Sequence, residues 1–496
     1  MMKKNLTLIN TISSLFFQVI TIINGFIIPK IILNYFGSEV NGLVSSLGQF
    51  LNYISLIEGG VTGVVMASLY KPLYEKNQKK INSIVNTARQ FFKKISFVFV
   101  IYSLILAFVY PFIVKTSFSF EFIFSLTMIM FVNLFVQYNF SLTYKTLLNA
   151  DRKVYIVSLT QSFILILNII LSIISVKIYP SIHILKIISA ILYISQPIIY
   201  SFFVNKYFNI DKNVETNKEL LKSRWDGFSI NIAAFIHMNT DIAILSLFAN
   251  VSTVSIYSVY KLITNGLNQI INSISSALSP TIGHLYAKGN AEELEDKFET
   301  FEFIILFIVF LIFTIAGLLI TPFVMIYTKN ITDANYYQPT FGIFLIISEA
   351  IYLLKSPHVN LAYSAGKFKD MKIPAYIEAG LNIVISVLLV NKLGLIGIAI
   401  GTLVAMTFRT IFQVIFTKKI IPKRKSNSFF SKLLIFSFAL LISIFICKFI
   451  IPTFDFTIVC WLETACVYSI ICFIIYLLVS IIFYRKQVSK IVKYLK

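Results

Sequence analysis

Long apolar runs set the limits of what this chain can fold into. Runs of about 20 residues, each long enough to cross a bilayer as a helix, recur from one end of the 496-residue chain to the other. Backbone in hydrocarbon must satisfy its own hydrogen bonds, so continuous runs of this kind become helices. With 57% hydrophobic residues and a mean hydropathy of +0.82, the composition excludes a soluble globular domain. The expectation is an all-α integral membrane protein with about 14 transmembrane helices. They are expected at 6–29, 41–68, 95–114, 122–143, 154–176, 182–204, 228–250, 255–280, 301–327, 339–361, 374–391, 394–416, 430–451 and 457–483. The first run, Leu6 to Ile28, ends in Pro29-Lys30 rather than at a small-residue cleavage site, and is expected to remain as a span.

The net charge of +21 raises nucleic acid as a partner, and the placement of the cations argues against it. With the N-terminus inside, 33 of the 43 basic residues fall in the inner segments and seven in the outer ones. That asymmetry is the positive-inside signature. It expects a multi-pass protein of the cell membrane, with both termini cytoplasmic. The outer loops, such as Lys115 to Glu121, are too short to carry a catalytic domain. Cys447, Cys460, Cys466 and Cys472 have no metal-like spacing and read as core residues.

The chain looks internally duplicated. LYEKN at Leu73 to Asn77 recurs as LYAKGN at Leu285 to Asn290, and LNIILSI at Leu167 to Ile173 as LNIVISV at Leu381 to Val387. The two offsets are 212 and 214 residues. Six spans per repeat give parallel repeats. The expected division is a six-helix bundle over 1–204, a cytoplasmic linker over 205–227, a second six-helix bundle over 228–416, and two extra helices with a basic tail over 417–496.

Polar stripes run along several spans. Tyr257, Lys261, Asn265, Asn268, Asn272, Ser275 and Ser279 recur at steps of three or four, which places them on one face of a helix. Asn10, Ser14, Gln18 and Thr21 do the same in the first span, and Asn41, Ser45, Gln49 and Asn52 in the second. Gln137 lies on the stripe of the fourth span, with Asn133 and Ser141, and the seventh carries Asn231, His237 and Asp241. A shared wet cavity is the simplest arrangement, and a buried polar seam between packed helices is the competing one.

Charges inside spans cost about 2.5–3.5 kcal/mol each at mid-helix, so each needs a reason. The candidates are Glu58, Asp241, Lys261, Glu349, Lys355 and Arg409. Pro357 is expected to break its span beside Lys355. Glu349 and Lys355 are six residues apart, on different faces of a regular helix, which argues against a simple pair. Asp241, with His237 one turn away, is a candidate for ion coupling because desolvation penalises its charged form. Glu58 and Glu349 are the other coupling candidates. A permanent ion pair of Asp241, with Lys261 as one partner, is the alternative. The four histidines show no HExxH or other ligand spacing, and Ala365-Gly366-Lys367-Phe368 lacks the upstream glycine and the Ser/Thr of a phosphate loop. No enzyme, cofactor or ATP-driven engine is expected. Gly397 and Gly401 form a GxxxG, read as a close helix contact.

Three stretches carry a family resemblance: GSEVNGLVSSLGQFLNYISLIEGG (Gly37 to Gly60), YSVYKLI (Tyr257 to Ile263) and LGLIGIAIGT (Leu393 to Thr402). They resemble the Wzx-type polysaccharide flippases, of the MOP superfamily that also holds MATE exporters and the lipid II flippase. The segment Val176 to Ile182 lacks the glycines found after the eleventh span, which blurs the repeat. The resemblance implies a V-shaped, MATE-like pair of six-helix bundles that moves an undecaprenyl-diphosphate-linked oligosaccharide outward, the lipid tail staying among membrane lipids. It implies alternating access, with H⁺ or Na⁺ as a possible coupling ion. Lys261, Lys355 and Arg409 are then the cations that meet the diphosphate. Gln18, Gln49, Asn52, Gln137, Asn265, Asn268 and Asn272 line the cavity for the glycan. An ion-coupled small-molecule exporter of the MATE kind and, less favoured, a membrane polysaccharide polymerase or ligase are the alternatives.

Overall fold

The computed structural model describes residues 2–58, 60–217, 235–236, 239–451 and 455–495. His237 and Asn231, two of the polar residues singled out above, lie outside the described residues. The chain divides into two compact units, Met1–Ser255 and Ile256–Lys496. The boundary falls after the 205–227 segment where the sequence repeat places the linker.

Unit 1 is built from α1 (Met2–Asn52), α2 (Ser55–Glu58), α3 (Val61–Tyr74), α4 (Gln78–Ile113) and α5 (Phe120–Val136). A π-helical turn, Gln137–Ser141, leads into α6 (Leu142–Ala150), followed by α7 (Val154–Ile178), α8 (Ile182–Tyr207) and α9 (Asn239–Phe248). Next comes α10 (Val251–Lys288), in which the unit boundary falls. Unit 2 continues with α11 (Ala291–Tyr327), α12 (Pro339–Leu354), α13 (Ser356–Ser364), α14 (Lys372–Leu393) and α15 (Leu395–Thr417). It closes with α16 (Asn427–Ile450), α17 (Ile458–Phe483) and α18 (Arg485–Leu495).

Among the described residues, eleven helices or merged helices are long and apolar enough to cross a membrane. Fourteen spans were expected, and the difference falls on the second, seventh and eighth. The first two meet without a loop inside α1, where Gly37 leaves the helical region at φ 80°. The second is then interrupted again before Gly60, which sits at φ 81° as the N-cap of α3. Positive φ of this kind suits glycine because it has no Cβ. The seventh is described mainly from Asn239 onward. The eighth, α10, is a continuous helix whose polar stripe keeps it from qualifying as an apolar span.

The duplicated LYEKN and LYAKGN motifs form the same junction twice. In the first, Lys76 takes a left-handed φ of 54° and the Asn77 side chain accepts from Lys80 N to cap α4. In the second, Gly289 takes a φ of 76° and Asn290 accepts from Glu293 N to cap α11. A left-handed residue ending one helix and an Asn starting the next satisfies orphaned backbone groups at both ends.

Within unit 1, the stripe of the second span closes onto α9 and the start of α10. Asn41 Nδ2 donates to Ser255 Oγ at 2.7 Å, and Gln49 Nε2 to Asn239 Oδ1 at 2.6 Å. Between them Ser46 and Ser246 share a hydroxyl bond of 2.6 Å, and Tyr110 donates to Ser46 at 2.6 Å. A methyl group on Gly42 would collide with the Val251 carbonyl, so this face admits only glycine. The stripe of the first span is likewise occupied. Asn10 donates to Arg152 O and accepts from Tyr155 N, and Ser14 meets Ser158 on α7. Interhelical polar bonds of this kind hold helices together where lipid supplies no hydrophobic drive.

The GxxxG does bring helices together. A Cβ on Gly397 would lie 2.7 Å from the Leu389 backbone, and one on Gly401 2.9 Å from Ser386 N, both on α14. Gly25, by contrast, has open space where a Cβ would go. Overpacking of this kind costs about 1–3 kcal/mol. Gly397→Ala and Gly401→Ala are therefore expected to lower the unfolding temperature in detergent, while Gly25→Ala leaves it unchanged. Equal behaviour of the three would contradict the close α14–α15 contact.

Candidate functional site

Unit 2 buries an unusual amount of charge, arranged in three clusters. In the first, Lys261 on α10 pairs with Glu349 on α12, and Asn268 Nδ2 donates to the other carboxylate oxygen at 2.7 Å. Lys261 and Asn268 are two helical turns apart on one face, so a single stripe of α10 supplies both partners. Further down the same stripe Ser275 accepts from Asn360 Nδ2 at 2.9 Å, and at its start Tyr257 packs on Phe341. This side of α10 therefore faces α12 and α13. Asn265 is half-buried, and Asn272 is exposed.

The second cluster is built where α12 breaks. Pro357 cannot continue the helix through Lys355, and α12 ends at Leu354 before α13 begins at Ser356. Lys355 Nζ lies 3.4 Å from Glu378 Oε1, and Arg409 Nε lies 3.4 Å from Glu378 Oε2. Arg409 Nη1 also donates to Met371 O at 3.3 Å, and Lys355 sits 4.2 Å above the Tyr352 ring. All three charged groups are buried. One carboxylate thus faces two cations at close range, and Glu349 of the first cluster acts on Lys355 from farther off, so the two clusters together hold three cations against two carboxylates, a buried excess of one positive charge.

The third cluster centres on Glu302 of α11, which is fully buried. Arg424 pairs with it, Lys432 Nζ reaches it at 2.9 Å, and His358 Nε2 at 3.1 Å. His358 Nδ1 is held by Thr417 Oγ1 at 2.8 Å. Arg424 and Lys432 flank the start of α16, so this hub fastens α16 to α11 and α13.

In unit 1 the charged candidates are placed differently. Glu58 accepts from Thr62, and Tyr138 donates to it at 3.4 Å. Asp241 is buried in α9, two residues from the Asn239 that Gln49 and Tyr53 hold. Gln49 is buried, Gln18 half-buried, Asn52 exposed, and Gln137 begins the π-helical turn.

Of the site residues read from sequence, the structure brings together Lys261, Asn268 and Glu349, and separately Lys355 and Arg409. In the second group the residue missed was Glu378, which both cations face. Its signal was present: Glu378, Asn382 and Ser386 recur every four residues and are all buried, a stripe as regular as that of α10. Glu302 and Lys432 were missed because each sits at the first turn of an expected span, where snorkelling to water is the ordinary fate of a charge.

No family model and no curated protein matches the chain by sequence. Solved structures do match in three dimensions. Against a lipid II flippase MurJ in an inward closed conformation, the chain aligns with a TM-score of 0.75 at 18% identity, over 97% of this chain and all of that one. The fold is MurJ-like. It is shared with a multidrug resistance MATE transporter of the MOP superfamily in an inward-facing conformation (TM-score 0.63, 14% identity, 82% of this chain and 96% of that one). A eukaryotic MATE transporter aligns at 0.60 and 14% identity, over 87% and 98%. The MurJ/MATE-like, all-α fold expected from the sequence is the one observed.

Removing one partner of a buried pair costs about 3–5 kcal/mol, because the other is left uncompensated. Lys261→Met is therefore expected to destabilise the protein in denaturant unfolding. Adding Glu349→Leu should restore most of the loss. If the double variant is no better than the single, the two residues are not a closed pair.

Proposed function

We propose that the protein is a flippase. It carries undecaprenyl-diphosphate-linked oligosaccharide repeat units from the cytoplasmic to the outer face of the cell membrane, by alternating access, for capsule, O-antigen or other surface polysaccharide. The observation that carries this reading is the buried excess cation at Lys355, Glu378 and Arg409. An unmatched positive charge at membrane depth is costly, and an anion that visits the site would offset that cost. A diphosphate is such an anion, and Arg with Lys is the pair of side chains suited to bind it. In this reading Lys261 is not a free hand for cargo, since Glu349 already balances it.

The MATE-like structures favour a second reading, an ion-coupled exporter of small molecules. A surplus of buried positive charge opposes cationic cargo, which places that reading second. The cation distribution along the chain supports cytoplasmic termini in either case.

Lys355→Met leaves Glu378 and Arg409 as a balanced pair, so it should fold with near-normal stability. It is expected to lose most flipping of a lipid-linked oligosaccharide in proteoliposomes, with Lys355→Arg retaining part. Normal flipping by Lys355→Met would overturn the cargo assignment.

Asp241 is the group we propose for coupling. A buried carboxylate gains from taking up a proton or Na⁺ in one conformation and giving it up in another. Asp241→Asn should flip at a residual rate that no longer responds to a pH or Na⁺ gradient. Undiminished gradient dependence would remove Asp241 from this role.

A further inference from the structure

Unit 1 carries a groove that the transport reading leaves unused. Its volume is about 660 Å³, within the roughly 300–1,000 Å³ of small-ligand pockets. One wall is a face of α8, with Ile194, Pro197 and Ile198. The opposite wall is the π-helical turn and the start of α6, with Phe140 and Thr143. One wall carries Pro197, which lacks a backbone donor, and the other is a π-turn, which widens the helix and often marks functional sites.

The charge on the groove is one-sided. Arg89 of α4 and Lys212 line it, and no carboxylate among the described residues does. Neither cation forms an ion pair with a described residue. Lys212 is nonetheless held in place, because the segment around it is laced to α4. Gln78 and Asn82 donate to Asn209 O at 2.9 and 3.2 Å. Asn86 Nδ2 donates to the carbonyls of Asp211 and Val214 at 2.9 and 3.0 Å, and Ser83 to that of Glu215 at 2.7 Å. These donors share one face of α4, and Arg89 is the next residue along it. The neighbouring Asp211 carboxylate is engaged in its own turn, accepting from Asn213 N at 2.9 Å.

Two cations at the end of an apolar trough make an amphipathic site. Ile198, Phe202 and Phe140 are exposed on helices long and apolar enough to cross a membrane, so the trough opens onto an apolar surface of the kind lipid covers. We propose that this groove binds an anionic glycerophospholipid of the surrounding bilayer. Its phosphate would lie at Arg89 and Lys212, and an acyl chain along Ile194 and Ile198. Basic pockets between transmembrane helices bind anionic headgroups in this way, and charge-assisted bonds from an Arg make the phosphate contact the stronger part.

The test is thermal unfolding of delipidated protein in detergent, with phosphatidylglycerol or phosphatidylcholine added. At about 100 times its Kd, phosphatidylglycerol is expected to raise Tm by roughly 5 °C, and phosphatidylcholine to leave it unchanged. The Arg89→Gln, Lys212→Gln double variant should lose that shift. Ser201→Trp, which fills the groove and keeps both cations, should lose it too. A shift that survives both variants, or is equal for the two lipids, overturns the site. A shift produced by undecaprenyl phosphate and not by phosphatidylglycerol also overturns it, and assigns the groove to the cargo path. Because the readout is binding, the result is independent of whether the protein flips lipid-linked sugars.

Discussion

A charge taken out of water has to be answered by another, and the architecture of unit 2 follows from that requirement. Desolvating an ion costs several kcal/mol, which only close opposite charges and hydrogen bonds recover. Lys261 and Glu349 meet the requirement as a pair, with Asn268 occupying the remaining carboxylate oxygen. Glu302 meets it with Arg424, Lys432 and His358 around it, and Glu299, 3.3 Å from Lys432 Nζ, supplies the second carboxylate that balances the two cations. Lys355, Glu378 and Arg409 do not: two cations share one carboxylate, at 3.4 Å each. The first and third clusters are self-sufficient and hold helices together. The second is the one left with something to bind, and for that reason the proposed cargo is assigned to it.

Packing in unit 1 depends on the same need to satisfy polar groups, expressed through neutral side chains. In lipid, helices gain little from burying apolar surface against each other, so small residues and hydrogen bonds set their contacts. Gly42 lets α1 approach the Val251 carbonyl, and the Asn41, Ser46 and Gln49 bonds run along the same face. The result fixes α9, and with it Asp241, by backbone proximity rather than by loops. The coupling role proposed for Asp241 would draw on that packing, because a change of charge on so firmly held a helix is felt by its neighbours directly.

Much of this was legible in the residues. Apolar run length marked the helices, and the spacing of Gly397 and Gly401 marked a contact so close that an added Cβ would lie 2.7–2.9 Å from the α14 backbone. The Lys355-Ser-Pro357 break was readable because proline removes a donor. The duplicated LYEKN and LYAKGN were recognisable as strings, but their common role as left-handed residue plus Asn cap was not, since capping depends on φ. Pairing was the least legible level. Glu349 sits 88 residues from Lys261, and Glu378 sits 31 from Arg409, and no periodicity within one helix specifies a partner on another. A polar stripe says that a face is not lipid-facing; whether it meets water or a neighbouring helix is decided by the neighbour. The first two spans were legible as separate helices, and what the sequence left open is that they meet at the Gly37 kink without a loop.

The surplus positive charge of unit 2 is proposed to serve an anionic cargo. The most direct measurement compares binding of undecaprenyl diphosphate and undecaprenol to purified protein, for the native chain and for Lys355→Met. The native protein is expected to prefer the diphosphate by tenfold or more, about 1.4 kcal/mol, and Lys355→Met to erase most of the preference. Equal affinity for the charged and uncharged lipids in the native protein would contradict it.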